Sequence, residues 1–469
     1  MNELAIILDS SSRQHYYMQI YEYINKEIKE GRFLAGEKLP STRFLAEHLQ
    51  VSRSTVLLAY EQLIAEGYIE TKPNKGYYIN KIDNLTVLGL SNIKTIAKVN
   101  QDDLEEIKYH FSPFEIQKNG FPFSVWKRLQ REVIADNESK FFEHGSAQGE
   151  EKLRSVIMRY LHASRGVECI IDQIIVGAGN DYLLLLLEKI MNNKITVAIE
   201  NPSYERAYKI FKAAGYKVET ICMDQNGINI ANLDETESNL AYVMPAHQFP
   251  TGISMPISRR MELLNWANQD NERYIIEDDY DSEFRYKGKP IKSLQSLDKN
   301  GKVIYIGTFS KSIAPAIRVS YMVLPFDLLE NYKERASFYS SSVSRIEQIT
   351  LAKFIGEGYY ERHLNKMRKI YKDKHDRVVQ LMKRYSDIFD ISGEQLGLHI
   401  ILIYKGSKTR EEIKKNLYNE KIKLHSMDDY VLKDLVKSEV QNKYLLGFAN
   451  IESEMIEISI EALVRAFIK

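Results

Sequence analysis

The spacing of apolar positions lays out the plan of the chain. Tyr17, Ile20, Ile24 and Ile28 recur every three or four residues and predict a helix that Gly31 ends. Pro40-Ser41-Thr42-Arg43 offers polar caps for a second helix carrying Phe44, Leu45 and Leu49. Val51-Ser52 is a short turn, and Ser52 or Ser54 caps a third helix with Val56, Tyr60, Leu63 and Ile64. Residues 67–70 and 76–79 flank Pro73-Asn74-Lys75 as a hairpin with its turn at the tip. Three helices and a hairpin predict an α+β winged helix-turn-helix over residues 10–80. Residues 81–108 have no clear period, include the acidic run Asp102-Asp103-Leu104-Glu105-Glu106, and read as a linker.

From residue 109 to 469 short apolar runs alternate with amphipathic helices. Ile174-Ile175-Val176, Ile195-Thr196-Val197-Ala198-Ile199, Ala241-Tyr242-Val243-Met244, Tyr274-Ile275-Ile276 and Val303-Ile304-Tyr305-Ile306 are the expected strands. This alternation predicts an α/β domain with a mostly parallel central sheet, a large part over about 150–325 and a small C-terminal part over about 335–469. Functional groups should gather where such strands end.

Composition narrows the function classes. Lys and Arg equal Asp and Glu at 64 each, so any nucleic-acid contact must be local. The third helix would enter the major groove by its N-terminal end with Ser52, Arg53, Ser54 and Thr55. Arg53 suits guanine or phosphate, Arg43 suits phosphate, and Lys75 on the wing suits the DNA backbone or minor groove. Cys169 and Cys222 form no CxxC or Cys/His cluster, which argues against a disulfide framework or a metal site and for buried reduced thiols. No basic region followed by an apolar core opens the sequence, and the longest apolar run, from Tyr182 to Leu187, is far short of the ~20 residues of a membrane span. The expectation is a cytoplasmic protein that does not enter a membrane.

The candidate chemistry lies just past the predicted strands. Gly177-Ala178-Gly179-Asn180 opens a helix, where backbone N–H groups and the dipole suit an anion. Tyr204, after Val197–Glu200, offers a ring to stack on a flat heterocycle. His247, taken alone, reads as a hydrogen-bonded loop histidine. Asp278 ends an apolar run, and a carboxylate there would keep a pyridine nitrogen protonated; Tyr280, two residues on, would bond a phenolate oxygen. Lys311 follows Gly307-Thr308-Phe309-Ser310 and would form a Schiff base, with burial beside Arg318 lowering its pKa. Ser310 and Arg318 would bind phosphate. One acid, one tyrosine, one lysine and one arginine at strand ends are what a pyridoxal 5'-phosphate site requires.

Two resemblances sharpen this reading. Gly31, Gly36, Leu39-Pro40-Ser41-Thr42-Arg43, Leu45-Ala46, Val51-Ser52-Arg53, Thr55-Val56, Ala59-Tyr60, Leu63, Glu66-Gly67-Tyr68 and Gly76-Tyr77-Tyr78 resemble the GntR family of regulators. Residues 277–284 (Glu-Asp-Asp-Tyr-Asp-Ser-Glu-Phe), Gly307–Lys311, Pro315, Arg318, Ser320, Tyr321 and residues 247–252 (His-Gln-Phe-Pro-Thr-Gly) resemble fold-type-I aminotransferases. The whole chain resembles the MocR/GabR group, in which both parts are fused. The resemblance implies pyridoxal phosphate as an internal aldimine on Lys311, stacking by Tyr204, and a homodimer with one subunit's winged helix against its partner's large domain.

The chain departs from that group at one point. Its GABA-responsive members hold a carboxylate with an arginine in the C-terminal part, yet no arginine occurs from Glu411 to Val464. The matching loop, His425-Ser426-Met427-Asp428-Asp429-Tyr430, carries acids instead, which would repel a carboxylate. Arg206, Lys423 and His425 are the substitute anion ligands. The expected effector is therefore not GABA but another amino compound: a D-amino acid, a small dipeptide or a diamine. The main reading is a regulator rather than an enzyme, binding a double-stranded operator and sensing that compound at Lys311. The alternative is an aminotransferase with an accessory DNA-binding domain; a binding module that has lost the cofactor is a third.

Overall fold

A computed structural model describes residues 6, 8, 9, 12, 14–73, 75–81, 107–136, 138, 142–191, 195–286, 288, 291–433 and 440–469. The chain divides into two units, Met1–Asp103 and Leu104–Lys469. The linker expected over 81–108 lies outside the described residues except at its ends.

In the first unit, α1 (Tyr16–Lys29), α2 (Thr42–His48) and α3 (Arg53–Ala65) precede a hairpin of β1 (Ile69–Lys72) and β2 (Gly76–Ile79). Ile20, Ile24 and Ile28 of α1 close with Leu45, Val56, Tyr60, Leu63, Ile69 and Ile79 into one core. Ser41 caps α2 by accepting from the Phe44 N–H, and Ser52, rather than Ser54, caps α3 by accepting from the Thr55 N–H. The hairpin pairs Ile69 with Ile79 and Lys72 with Gly76.

The second unit begins with β3 (Tyr109–His110), α4 (Phe123–Asp136) and α5 (Glu151–Arg165). Next come β4 (Ile174–Gly177), α6 (Asn180–Ile190), β5 (Thr196–Asn201), α7 (Glu205–Ala213), β6 (Lys217–Asp224), β7 (Gly227–Ile228) and α8 (Ile230–Asp234). Then follow β8 (Leu240–Val243), α9 (Ile257–Asn268), β9 (Tyr274–Asp279), β10 (Val303–Thr308), β11 (Ser320–Val323), α10 (Phe326–Arg335), α11 (Arg345–Gly356) and α12 (Tyr359–Lys383). The C-terminal part holds β12 (Phe389–Ser392), β13 (His399–Tyr404), α13 (Arg410–Asn419), β14 (Ile422–Lys423), β15 (His425–Ser426), β16 (Lys443–Gly447) and α14 (Ile456–Ile468).

Eight strands form the central sheet in the order β4-β11-β10-β9-β8-β5-β6-β7. The pairs β10–β9, β9–β8, β8–β5 and β5–β6 are parallel, whereas β11 runs antiparallel to both its neighbours. Each of β4, β8, β9 and β10 is buried along its whole length, as strands covered on both faces must be. All five expected strands are present. The partly exposed β6 gave no continuous apolar run, and neither it nor the antiparallel β11, whose run Tyr321–Leu324 is short, was anticipated. The small part is an antiparallel sheet, β12-β13-β16-β15. It also recruits the start of the unit: β3 pairs parallel with β14, and the strap from Lys108 onward lies on β16. A Cβ at Gly447 would fall on the Ser112 backbone, so glycine is what allows the strap so close. Cys169 is buried as expected; Cys222 is exposed, because β6 presents it outward on a strand covered only in part. No described helix is long and apolar enough to cross a membrane.

At the end of β9, Arg165 Nε donates to Asp279 at 2.7 Å, and the Tyr305 hydroxyl donates to the same oxygen at 2.6 Å. Both members of the ion pair are only 3% exposed. Arg165→Met should leave Asp279 buried without its cation and lower stability by about 3–5 kcal/mol, measured as a fall in the urea midpoint of the larger unit.

Candidate cofactor and effector site

One cavity in the larger unit is lined by Pro113, Phe114, Asn180, Asp181, Tyr204, Arg206, Met244, Phe249, Asp278, Tyr280, Thr308, Ser310, Lys311 and Arg318. Eight of the residues singled out from sequence, Asn180, Tyr204, Arg206, Asp278, Tyr280, Ser310, Lys311 and Arg318, therefore converge on one space, although they span 138 positions from Asn180 to Arg318. Parallel β9 and β10 explain this: they pair Ile306 with Asp278 and Gly307 with Asp279, so the Lys311 turn starts beside the acid.

Asp278 is buried and faces away from the Arg165 network because neighbouring residues in a strand alternate sides. Asn180 Nδ2 donates to one of its oxygens at 3.0 Å, and the Tyr242 hydroxyl donates to the other. Neither donor is a cation. Burial pushes the acid up to about 6, with both hydrogen bonds opposing the shift. A protonated heterocyclic nitrogen is the partner such an acid lacks.

Lys311 is half-buried, and burial lowers its amine to about 8, with Asp281 and Glu115 acting the other way. Arg318 is not the cause, contrary to expectation: its guanidinium turns instead to Asp181 at 3.3 Å and to the Ala178 carbonyl at 3.4 Å. Lys311 Nζ donates to the Pro113 carbonyl at 2.7 Å and stands 5.7 Å from the Phe114 ring centroid.

The anion end is built from the α6 N-terminus and two arginines. Gly179 has φ +94°, and a Cβ there would strike the Arg318 guanidinium. Arg318 is itself left-handed at φ 49°. Arg206 Nη1 reaches the same Asp181 oxygen at 3.3 Å, leaving two guanidiniums on one carboxylate. Thr308 Oγ1 accepts from the Ser310 N–H at 3.2 Å and from the Ser320 hydroxyl at 2.9 Å. An acid without a cation, a partly neutral buried amine, aromatic walls and a helix N-terminus with spare positive charge fit pyridoxal 5'-phosphate. Asp278 would hold its ring nitrogen, Lys311 its aldehyde carbon, and Gly179, Ser310 and Arg318 its phosphate.

The effector candidates separate. Arg206 lines the cavity. His425 Nδ1 is 3.0 Å from the Tyr430 hydroxyl, and its ring stands edge-on to Phe114. Lys423 is exposed on β14 and does not line the cavity. Asp428 and Asp429 carry Arg410 at 3.1 and 3.0 Å. Arg410, just before the arginine-free stretch, thus offsets one of the two negative charges of this loop and leaves the other. Sequence reasoning assigned no role to Pro113, Phe114, Asp181, Tyr242, Met244, Phe249 or Thr308. Tyr242 was visible as an inward position of β8; nothing in the spacing pointed to Pro113 and Phe114.

In the first unit, Arg43, Ser52, Arg53, Ser54 and Lys75 are exposed and Thr55 is half-buried. The Ser52 hydroxyl is shared among the Thr55 N–H, Thr55 Oγ1 and Ser54 Oγ, and Arg53 Nε lies 3.4 Å from Thr42 Oγ1. Ser52 is therefore occupied as a cap, whereas Arg43 and Lys75 project free of the core.

The family model "Aminotransferase class I and II" matches residues 114–435, and "Bacterial regulatory proteins, gntR family" matches residues 16–79. An uncharacterized HTH-type transcriptional regulator of Bacillus subtilis, YdeL, is 39% identical over 96% of either chain. The probable rhizopine catabolism regulatory protein MocR of Rhizobium meliloti is 29% identical over 99% of this chain and 96% of its own. The pyridoxine biosynthesis regulator PdxR of Corynebacterium glutamicum is 30% identical over 86% of each. Among solved structures, the Pyrococcus horikoshii kynurenine aminotransferase superposes with a TM-score of 0.67 at 22% identity, covering 76% of this chain and 90% of its own.

The lowered amine has a measurable sign. The neutral, reactive form of Lys311 should grow as pH rises through about 8, below the ordinary 10.5. Borohydride trapping of added pyridoxal phosphate, mapped by peptide, should follow that midpoint at Lys311 and vanish in Lys311→Ala.

Proposed function

Because the chain belongs to the HTH-type transcriptional regulators that join a gntR-family DNA-binding unit to an aminotransferase class I and II domain, we propose that it is a pyridoxal-phosphate-dependent regulator that senses a small amino compound at Lys311. The observation that carries this reading is the convergence of Asp278, Lys311, Tyr204 and Arg318 on one cavity of a chain that also bears a winged helix. When bound, the cofactor supplies an aldehyde carbon that can exchange a lysine amine for a ligand amine. Lys311 contributes an amine that burial keeps partly neutral. Asp278 holds positive charge at the ring nitrogen, and Tyr204, with Phe249 and Phe114, closes the apolar walls.

Arg206 is the first choice for an effector's acid group, since it already shares Asp181 with Arg318 at the cavity wall. With one Arg410 shared by Asp428 and Asp429, the loop keeps a net negative charge, and a D-amino acid, a small dipeptide or a diamine all keep their place. The ligand can act only by binding one arrangement of the protein better than another. A homodimer would present two winged helices to two half-sites, with Arg53, Ser54 and Thr55 at the groove and Arg43 and Lys75 on the backbone.

The second reading, an aminotransferase with an accessory DNA-binding unit, draws support from the completeness of the Asp278 and Lys311 pair. The two differ in turnover. With the full-length, cofactor-loaded protein and genomic DNA fragments that it selects itself, an amino compound that alters both the visible spectrum and DNA affinity supports the regulator. Steady keto-acid release without any change in DNA affinity would sink it. Lys311→Ala should bind DNA and lose the response to the amine. Arg53→Ala should weaken binding and reduce the slope of log affinity against log salt by about 1 if it contacts phosphate; an unchanged slope would make it a base contact or no contact.

A further inference from the structure

Beside the cofactor residues lies a buried group that the function above does not use. His247 is 2% exposed and sits in the loop after β8. Its Nδ1 is 2.9 Å from each oxygen of Asp281 and 3.0 Å from the Tyr280 hydroxyl. The His247 and Tyr280 rings lie 5.8 Å apart at 24°. Its Nε2 is buried without a hydrogen-bond partner among the described residues.

One arrangement of hydrogens satisfies all three contacts when Asp281 is ionised. An ionised Asp281 can only accept, so Nδ1 carries the hydrogen. A nitrogen that already bears a hydrogen cannot also accept one from Tyr280. The Tyr280 oxygen therefore accepts from the same N–H, and its own hydrogen is left uncommitted. Tyr280 lines the cavity with Lys311 and Asp278, so the cavity is where that hydrogen can go. Burial, with Asp281, Asp278 and Asp279 nearby, raises the phenol well above 10 and keeps the hydrogen in place.

The groups facing this pair from other elements reinforce it. His399 of β13 lies 5.2 Å from the His247 ring centroid, with Nε2 at 3.2 Å from the Pro250 carbonyl. Burial and His247 lower it to about 3, which leaves it uncharged. The Phe249 ring meets Tyr280 edge-on. Gly397, at φ +78°, presses on the pair from the small part: a Cβ there would fall on the His247 ring and on Asp281. The Tyr286 hydroxyl donates to the Gly397 carbonyl and fixes that turn.

We propose that His247, oriented by Asp281 and clamped by the Gly397 turn, is a positioning residue that makes Tyr280 a hydrogen-bond donor into the cofactor cavity. The proposal rests on the reading of this cavity as a pyridoxal phosphate site. It ties the donor state of Tyr280 to the small part, since Gly397 cannot shift without moving His247.

The test is the pH midpoint of the visible absorption of the full-length protein loaded with pyridoxal phosphate. A donated hydrogen stabilises anionic charge on the cofactor, so losing it should raise the midpoint. Tyr280→Phe should move it up by about one unit, tenfold in proton affinity. His247→Leu and Asp281→Asn should move it in the same direction by a similar amount. His247→Leu combined with Tyr280→Phe should move it no further than the larger single change. His247→Asn keeps an N–H at the Nδ1 position and should stay near wild type; it also carries the test, with Asp281→Asn, if His247→Leu does not fold by circular dichroism. An unmoved midpoint in Tyr280→Phe, in His247→Leu or in Asp281→Asn overturns the proposal, as does additivity in the double variant. If the wild-type protein gives no visible band with the cofactor, the reading of the site falls and the proposal with it. A normal band with unmoved midpoints removes only the role of His247.

Discussion

Three successive carboxylates, Glu277, Asp278 and Asp279, are buried in the middle of a sheet, and the rest of the larger unit answers that constraint. Isolated ionised groups do not survive such burial. The fold divides the three by the alternation of strand β9. Asp279 takes Arg165 and Tyr305 on one side. Glu277, on the same side, accepts the N–H groups of Leu294 and Gln295 at 2.8 Å each. Asp278 alone points the other way and receives neutral donors. The charge that would complete it must come with a ligand, and the site is arranged around that deficit.

The same economy recurs at the anion end, with the sign reversed. Arg206 and Arg318 share Asp181, so the wall carries one more positive than negative charge. Lys311 adds an amine whose burial favours the neutral form. A dianionic, flat, cationic-nitrogen ligand satisfies all three local imbalances at once, which a plain metabolite would not. Positions along one strand thus set both what the core must supply and what the cavity must be given.

Much of this was legible in the chain. The period of Tyr17, Ile20, Ile24 and Ile28, the serine caps and the hairpin turn specified the winged helix because each is a local signal. The five buried strands were equally plain, and with them the residues at their ends. What stayed hidden was set by long-range placement. Pro113 and Phe114 reach Lys311 across 198 positions, through a strap held by β14 and β16 that leaves no periodic trace. Asp428 and Asp429 were plain in the sequence, but their shared partner, Arg410, was not, because it lies on another element. His247 read as an ordinary loop histidine, since neither Asp281 nor Gly397 is near it in sequence.

The strap has a consequence in time. Among the described residues the core of the first unit is complete by Ile79, whereas the strap finds β14 and β16 only once residues up to Gly447 exist. At about 5–20 residues per second of synthesis, those steps are separated by tens of seconds. The first unit, built from near neighbours, can fold on the ribosome before the cavity of the second has walls. Each newly made chain can therefore complete its first unit well before the strap closes the cavity of the second.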